Sequence, residues 1–184
     1  GTPGPNNIML LTSGVNHGVK KSIWHVLGIN LGFPIMLVAV GLGAMQVFVM
    51  LPWLYQAIKV VGMAYLLFLA YKIANTKVSL TSGQSSKPFS FFQAALFQWV
   101  NPKAWVMAMV AMATYTNEGN YTWNVLLVVF AFCAINFPSV TIWAGFGVAM
   151  RRFLSDPVKL RIFNYTMAVM LVLSLWPMLA VSAV

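Results

Sequence analysis

Long apolar stretches separated by short polar ones run through the whole chain. A membrane-spanning helix needs about 20 predominantly apolar residues, because the hydrocarbon core is about 30 Å thick and a helix rises about 1.5 Å per residue. Residues 8–15 form an apolar stretch that is too short by itself. The longer stretches predict spanning helices at residues 24–46, 53–73, 91–115, 123–150 and 162–181.

The short stretch at residues 8–15 has its own interpretation. Because the chain begins with Gly1 rather than Met, we interpret this stretch as the second half of a first span whose beginning is absent. The sequence therefore predicts an all-α membrane protein with six transmembrane helices, the first of them truncated.

Composition and charge agree with a membrane location. Hydrophobic residues make up 60% of the 184 positions and charged residues only 7%, against roughly a quarter charged in a soluble domain. The basic residues fall mainly in alternate loops, as the positive-inside rule expects for cytoplasmic loops. This placement accounts for most of the net charge of +9 and argues against a nucleic-acid partner. The loop cations are Lys20, Lys21, Lys72, Lys77, Lys87, Arg151, Arg152, Lys159 and Arg161.

A polar stretch at residues 75–90 divides three predicted spans from three others. It is rich in Ser, Thr and Gly, a composition typical of a flexible linker. Because each half has an odd number of spans, the halves must have opposite orientations, which is the arrangement of an inverted repeat. We predict a first repeat at residues 1–74, a cytoplasmic linker at 75–90 and a second repeat at 91–184.

Proline residues interrupt several predicted spans. The sequence TPGPNN occupies residues 2–7, NPK follows at residues 101–103, and Pro34 and Pro138 lie within other spans. Proline lacks an amide hydrogen and clashes with the carbonyl four residues back, so we expect Pro-broken helices with freed carbonyls. A helix that restarts near Asn6 at membrane depth would direct amide hydrogens and a positive dipole towards an anion. The alternatives are a surface turn for TPGPN and an ordinary kink for NPK.

Lys103 is unusual because it lies near the middle of the span predicted at residues 91–115. A cation at that depth costs roughly 2.5–3.5 kcal/mol on insertion scales, so it is expected to face protein or water. The two acidic residues, Glu118 and Asp156, both lie in predicted loops and leave no carboxylate partner for Lys103 within the membrane. The alternative is a lysine that extends to the interface from a span with misplaced limits.

Several motifs in this order resemble the LysE/RhtB family of bacterial amino-acid exporters, over essentially the whole chain. They are TPGPNN at residues 2–7, GINLGF at 28–33, GMAYLLFLAYKI at 62–73 and NPKAW at 101–105. TPGPNNI, HG at residues 17–18, KIA at 72–74 and KPFSF at 87–91 most resemble the branch that includes cysteine and O-acetylserine exporters. The resemblance implies an inner-membrane protein with six spans that exports an amino acid or a derivative, driven by the proton motive force.

The proline breaks and Lys103 then predict where such a substrate binds. The carboxylate would face the amides after Pro5, with Lys103 nearby, and the ammonium would meet freed carbonyls, asparagine side chains, or the rings of Trp99 and Tyr65. The two repeats would rock about this site to give alternating access. The candidate substrate-binding residues are Pro3, Gly4, Pro5, Asn6, Asn7, Asn30, Asn101, Pro102, Lys103 and Asn136.

An enzyme and an accessory subunit are the alternatives to a transporter. An enzyme would need an acid–base pair, a nucleophile with a base or a metal cluster, and the predicted spans contain no Asp or Glu and a single cysteine, Cys133. We therefore expect no enzymatic activity, no cofactor and no bound metal. The open alternative is a non-transporting accessory subunit, which would have no inward-facing polar cavity. The expected partners are a small amino-acid substrate and the lipid bilayer, and assembly into a homo-oligomer stays open.

Overall fold

The computed structural model describes residues 4–76 and 88–176, and the regular structure of these residues is entirely helical. This confirms the all-α prediction for that part of the chain. The α-helices are α1 (Pro5–His17), α2 (Val19–Ala39), α3 (Met45–Met50), α4 (Pro52–Ala74), α5 (Phe91–Val100), α6 (Pro102–Tyr115), α7 (Tyr121–Met150) and α8 (Pro157–Leu173). A short 3₁₀ turn, Glu118–Asn120, precedes α7.

Local sequence explains where these helices begin. α1, α4, α6 and α8 each begin with proline, whose fixed φ suits the first helical position and whose missing amide hydrogen would have had no partner there. α5 begins with a capping box in which Ser90 and Gln93 exchange backbone and side-chain hydrogen bonds of 3.0 and 3.2 Å. Asp156 caps α8 by accepting from the amides of Val158 and Lys159.

Three helical runs in the described residues are long and apolar enough to cross a membrane. They are Val19–Met50, Pro52–Ala74 and Tyr121–Met150, with mean hydropathies of 2.1, 1.7 and 2.3. The first run joins α2 to α3 through a π-helical segment, Val40–Ala44, in which Gly43 has a φ of 98°. The chain is therefore a helical membrane protein, while the arrangement of six spans as two inverted repeats stays a prediction. Most of the predicted linker and the end of the last predicted span lie outside the described residues.

Of Pro34, Pro102 and Pro138, which were expected to break their helices, the structure shows a break at Pro102 and corrects the expectation at the other two. Asn101 has an extended backbone (φ −92°, ψ 105°) and separates α5 from α6, so the span predicted at residues 91–115 is interrupted as expected at Pro102. In contrast, α2 and α7 continue through Pro34 and Pro138. Transmembrane helices tolerate proline where local adjustments satisfy the freed carbonyl, so a proline alone does not specify a break.

Glycine residues let pairs of helices approach closely. α1 packs on α7, where a Cβ added to Gly14 would lie 3.1 Å from Gly147 Cα. α2 packs on α5, where a Cβ added to Gly32 would lie 2.7 Å from Ala95 Cα. Such small-residue contacts are a common way for membrane helices to associate.

One end of the helical bundle collects basic residues, and we call it the basic end. His17, Lys72 and Phe89 line one small cavity there, which places the ends of α1 and α4 beside the start of α5. A Cβ added to Gly18 would lie 2.8 Å from a guanidinium nitrogen of Arg151, which places the end of α7 beside the start of α2. The sequence predicts that this end faces the cytoplasm.

Candidate functional site

A cavity of about 380 Å³, called here the main cavity, lies at the N-terminus of α1 beside the break between α5 and α6. It brings together seven of the ten candidate residues, which are Gly4, Pro5, Asn6, Asn7, Asn101, Lys103 and Asn136. Asn30 contacts this set through Asn136, whereas Pro102 is buried outside the lining. Pro3 lies outside the described residues.

The first turn of α1 is held to α5 by a pair of side-chain amides. Asn6 Nδ2 donates to Gln98 Oε1 at 2.9 Å, and Gln98 Nε2 donates to Asn6 Oδ1 at 3.2 Å. Gln98 Nε2 also donates to the Ala94 carbonyl at 2.9 Å. Since the Gln98 side chain is fully buried, these bonds satisfy a polar group that would otherwise be costly inside the bundle.

The break between α5 and α6 positions Lys103. Asn101 is 2% exposed, and its side-chain oxygen accepts from the Lys103 amide at 3.1 Å, which caps the N-terminus of α6. Lys103 thus lies in the first turn of α6 and is half-buried. A Cβ added to Gly4 would lie 2.8 Å from Lys103 Nζ, so the ammonium lies against the backbone just before α1.

Positive potential is concentrated where Lys103 and the start of α1 line the main cavity. The N-termini of α1 and α6 both contribute lining residues, and a helix N-terminus carries the equivalent of roughly half a positive charge. The Lys103 ammonium adds a full charge. Among the described residues that line the cavity, none is Asp or Glu. The arrangement favours an anionic group, such as a carboxylate, at this position.

Residues of α2 and α7 also line the cavity. Asn136 Nδ2 donates to Asn30 Oδ1 at 3.4 Å, and Asn30 Nδ2 donates to the Val26 carbonyl at 3.0 Å. Ser139 is a further lining residue. Apolar side chains complete the lining, so the cavity offers hydrogen-bonding groups and an apolar surface together. The apolar residues include Ile29, Phe33, Met107, Phe132 and Val140.

Three details of the predicted chemistry differ in the structure. The Gln98 carbonyl, expected to be freed by Pro102, accepts a long hydrogen bond of 3.4 Å from the Asn101 amide. The rings of Trp99 and Trp105 pack together, and the backbone carbonyl of Trp99 accepts a hydrogen bond from the ring N–H of Trp105. Tyr65 packs on Phe97. Neither Trp99 nor Tyr65 lines the main cavity, so neither ring is placed there to meet an ammonium group.

Sequence reasoning missed Gln98 and Ser139 as lining residues. A glutamine in the apolar stretch at residues 91–100, three positions before Asn101, is itself a signal, because an amide in hydrocarbon needs a partner. Ser139 gives no comparable signal, since membrane helices commonly contain single serines that bond to their own backbone.

Comparison with known proteins identifies the family. The model of the family described as LysE type translocator matches residues 2–174, nearly the whole chain. This chain belongs to the LysE type translocator family. A translocator family is consistent with the expectation that the protein is not an enzyme.

Curated proteins of Escherichia coli and Shigella are similar to this chain. Proteins named cysteine/O-acetylserine efflux protein from Escherichia coli K12, Shigella flexneri serotype 5b and Shigella sonnei are each 36% identical to this chain over 115 residues. The match covers 62% of this chain and 58% of each relative, so it spans little more than half the length of those proteins. No solved structure gives a significant match.

Proposed function

We propose that this protein exports an amino acid or amino-acid derivative across the bacterial inner membrane. The observation that carries this proposal is the position of Lys103, whose ammonium lies against Gly4 at the N-terminus of α1 in the main cavity. Membership in a translocator family and similarity to proteins named for cysteine and O-acetylserine efflux support the same function.

The carboxylate of the substrate would bind between Lys103 and the amides at the start of α1. The α-ammonium group would bind the side-chain oxygen of Asn136, which is hydrogen-bonded to Asn30, together with the Ser139 hydroxyl. The side chain would contact Phe33 and Phe132. A volume of about 380 Å³ lies within the roughly 300–1,000 Å³ of small-molecule sites, which is ample for a single amino acid.

Transport would proceed by alternating access of this site to the two sides of the membrane, with the proton motive force as the energy source. The two halves of the chain, residues 1–74 and 91–184, would move relative to one another around the cavity. His25 in α2 can be interpreted either as a proton carrier or as a structural residue, and its fully buried ring stacks on Phe89 at a centroid distance of 4.7 Å. That stacking favours the structural interpretation.

The main cavity also weighs against the accessory-subunit alternative. A non-transporting subunit would be expected to lack an inward-facing polar cavity, whereas asparagine, glutamine and lysine side chains here converge from α1, α5, α6 and α7. Buried polar groups are costly in a membrane protein and are characteristic of substrate pathways.

Substitution of Lys103 tests the proposal. We expect Lys103→Met to abolish export from cells loaded with cysteine, because the variant nearly keeps the length of the side chain and loses the charge that holds the carboxylate. Lys59→Met is the matched control, since it removes a lysine from α4 outside the main cavity, and should leave export within about twofold of the wild type. Membrane abundance of all three proteins is measured by immunoblot. Unchanged export by Lys103→Met at equal abundance would contradict the proposal.

A further inference from the structure

A second, smaller cavity of about 50 Å³ lies at the basic end of the bundle, and we call it the inner cavity. α1 supplies Thr12, Ser13 and Asn16 to its lining, and α4 supplies Lys72. His17 also lines it, and burial lowers the pKa of this imidazole, with a further lowering from the charges of Lys21 and Arg151. The lowered pKa favours the neutral form of His17, and Lys72 is an exposed residue whose ammonium lies over the Phe68 ring.

The two cavities lie along the same face of α1. Asn6 lines the main cavity and Met9 lines the inner cavity, and three residues correspond to a rise of about 4.5 Å in a helix. Between the two polar linings, α1 contributes Ile8 and Met9, 3% and 2% exposed, to a buried apolar cluster that includes Phe97 and Leu69. The polar linings on α1 end at Asn7 and resume at Thr12, so packed apolar side chains separate them over a rise of about 7.5 Å, somewhat more than one helical turn.

Hydrogen bonds between polar side chains join α1 to α8 and to α2 near the inner cavity. Asn16 Nδ2 donates to Asn164 Oδ1 at 3.0 Å, and Asn164 Nδ2 donates to Asn16 Oδ1 at 3.3 Å, which joins α1 to α8. Ser13 and Ser22 share a hydrogen bond of 3.0 Å, which joins α1 to α2. Asn164 is fully buried and makes this contact in the middle of an apolar helix.

The size of the inner cavity excludes an amino acid in this conformation. A volume of about 50 Å³ holds one or two water molecules, each of which occupies about 30 Å³ in the liquid. The small inner cavity, in which Thr12 and Ser13 are buried, contrasts with the larger main cavity, as expected for a pathway that is closed on one side.

We propose that the inner cavity is the closed cytoplasmic end of the export pathway and that the Asn16–Asn164 pair is the latch that keeps it closed. This inference rests on the proposed function. When the pair separates, α1 moves away from α8, the inner cavity widens towards Met9, and a substrate can pass Lys72 to reach the main cavity. Reciprocal amide bonds suit a latch, because each asparagine can exchange its partner for water or the substrate as the helices part.

Chemical labelling of a cysteine in the inner cavity tests the latch without requiring a known cargo. Cys133 is the single cysteine of the chain, so Cys133→Ala gives a background in which Thr12→Cys is the only target. Thr12 is 5% exposed, and a membrane-impermeant maleimide added to inside-out vesicles should label it slowly. Adding Asn164→Val should accelerate labelling at least about fivefold, because loss of the latch favours the open state.

Two further variants sharpen the test. Asn16→Ala breaks the same pair from α1 and should give the same acceleration, which keeps the test valid if Asn164→Val does not fold. Asn124→Val is the matched control, since it breaks the 2.9 Å bond to Asn117 in a pair outside the inner cavity, and should leave the labelling rate unchanged. Correct folding is checked by gel filtration of each variant in detergent.

The outcomes separate this inference from the proposed function. Unchanged labelling after both latch substitutions would overturn the latch, and so would equal acceleration by Asn124→Val, which would indicate general loosening. If labelling behaves as expected but the wild type exports no amino acid, the latch stands and the proposed cargo is wrong. If Lys103→Met abolishes export while labelling is insensitive to Asn164, only the latch fails.

Discussion

Gln98 fixes the shape of the main cavity through the groups that it holds. Its side-chain amide pairs with Asn6 and donates to the Ala94 carbonyl, so both ends of the amide are engaged. Asn6 belongs to the first turn of α1, where the backbone amides face the proposed carboxylate site. We therefore interpret Gln98 as a positioning residue that sets the distance between α1 and the break at Asn101.

Substitution of Gln98 should destabilise the protein and weaken transport together. Gln98→Leu leaves the Asn6 amide without its buried partner, which costs about 1–3 kcal/mol, and thermal unfolding in detergent should occur several degrees lower. Export should fall because α1 is no longer held against α5. Gln56→Leu replaces an exposed glutamine on α4 and should change stability by less than about 0.5 kcal/mol. Equal stability of the two variants would contradict the role of Gln98.

At the scale of helices, glycine contacts determine how closely α1 and α7 approach. A Cβ at Gly147 would collide with the Leu11 carbonyl of α1, which is backbone and cannot rotate away. Gly145 lies two residues earlier on the same helix, and a Cβ added there meets nothing within 4 Å. One glycine is thus required by packing, whereas the other is not.

This difference gives a paired prediction. Gly147→Ala should destabilise the protein by about 1–3 kcal/mol through overpacking, and it should reduce export because α1 carries part of both cavities. Gly145→Ala should be neutral or stabilising by up to about 1 kcal/mol, since alanine is the better helix former. Unfolding midpoints in detergent measure both effects. A Gly147→Ala variant as stable as Gly145→Ala would show that the α1–α7 contact is looser than described.

For the whole molecule, the sequence predicts the helical content and much of the candidate site, for identifiable physical reasons. Apolar length predicts the runs Pro52–Ala74 and Tyr121–Met150 to within a few residues, since a bilayer sets the length of a spanning helix. The sequence identifies Asn101 and Lys103 as candidate site residues, because a helix break and a cation are both costly in hydrocarbon.

The remaining features depend on tertiary contacts that local sequence does not specify. The continuity of α2 through Pro34 and the π-helical segment with Gly43 reflect how neighbouring helices satisfy the backbone. The pairing of Asn6 with Gln98, 92 positions apart, is set by the packing of α1 on the rest of the bundle. Trp99 and Tyr65 do not line the main cavity for the same reason, because aromatic residues at similar depth can face other helices.

The most direct test of carboxylate recognition is binding of cysteine and cysteinamide to the purified protein under reducing conditions. The two ligands differ at the carboxyl group, so at a pH low enough to keep both α-amino groups protonated the ratio of their dissociation constants reports the contribution of the carboxylate. The wild type should bind cysteine at least about tenfold more tightly, equivalent to about 1.4 kcal/mol, and Lys103→Met should bind the two ligands equally weakly. Equal affinity of the wild type for both ligands, or an undiminished preference in Lys103→Met, would contradict a carboxylate site at Lys103.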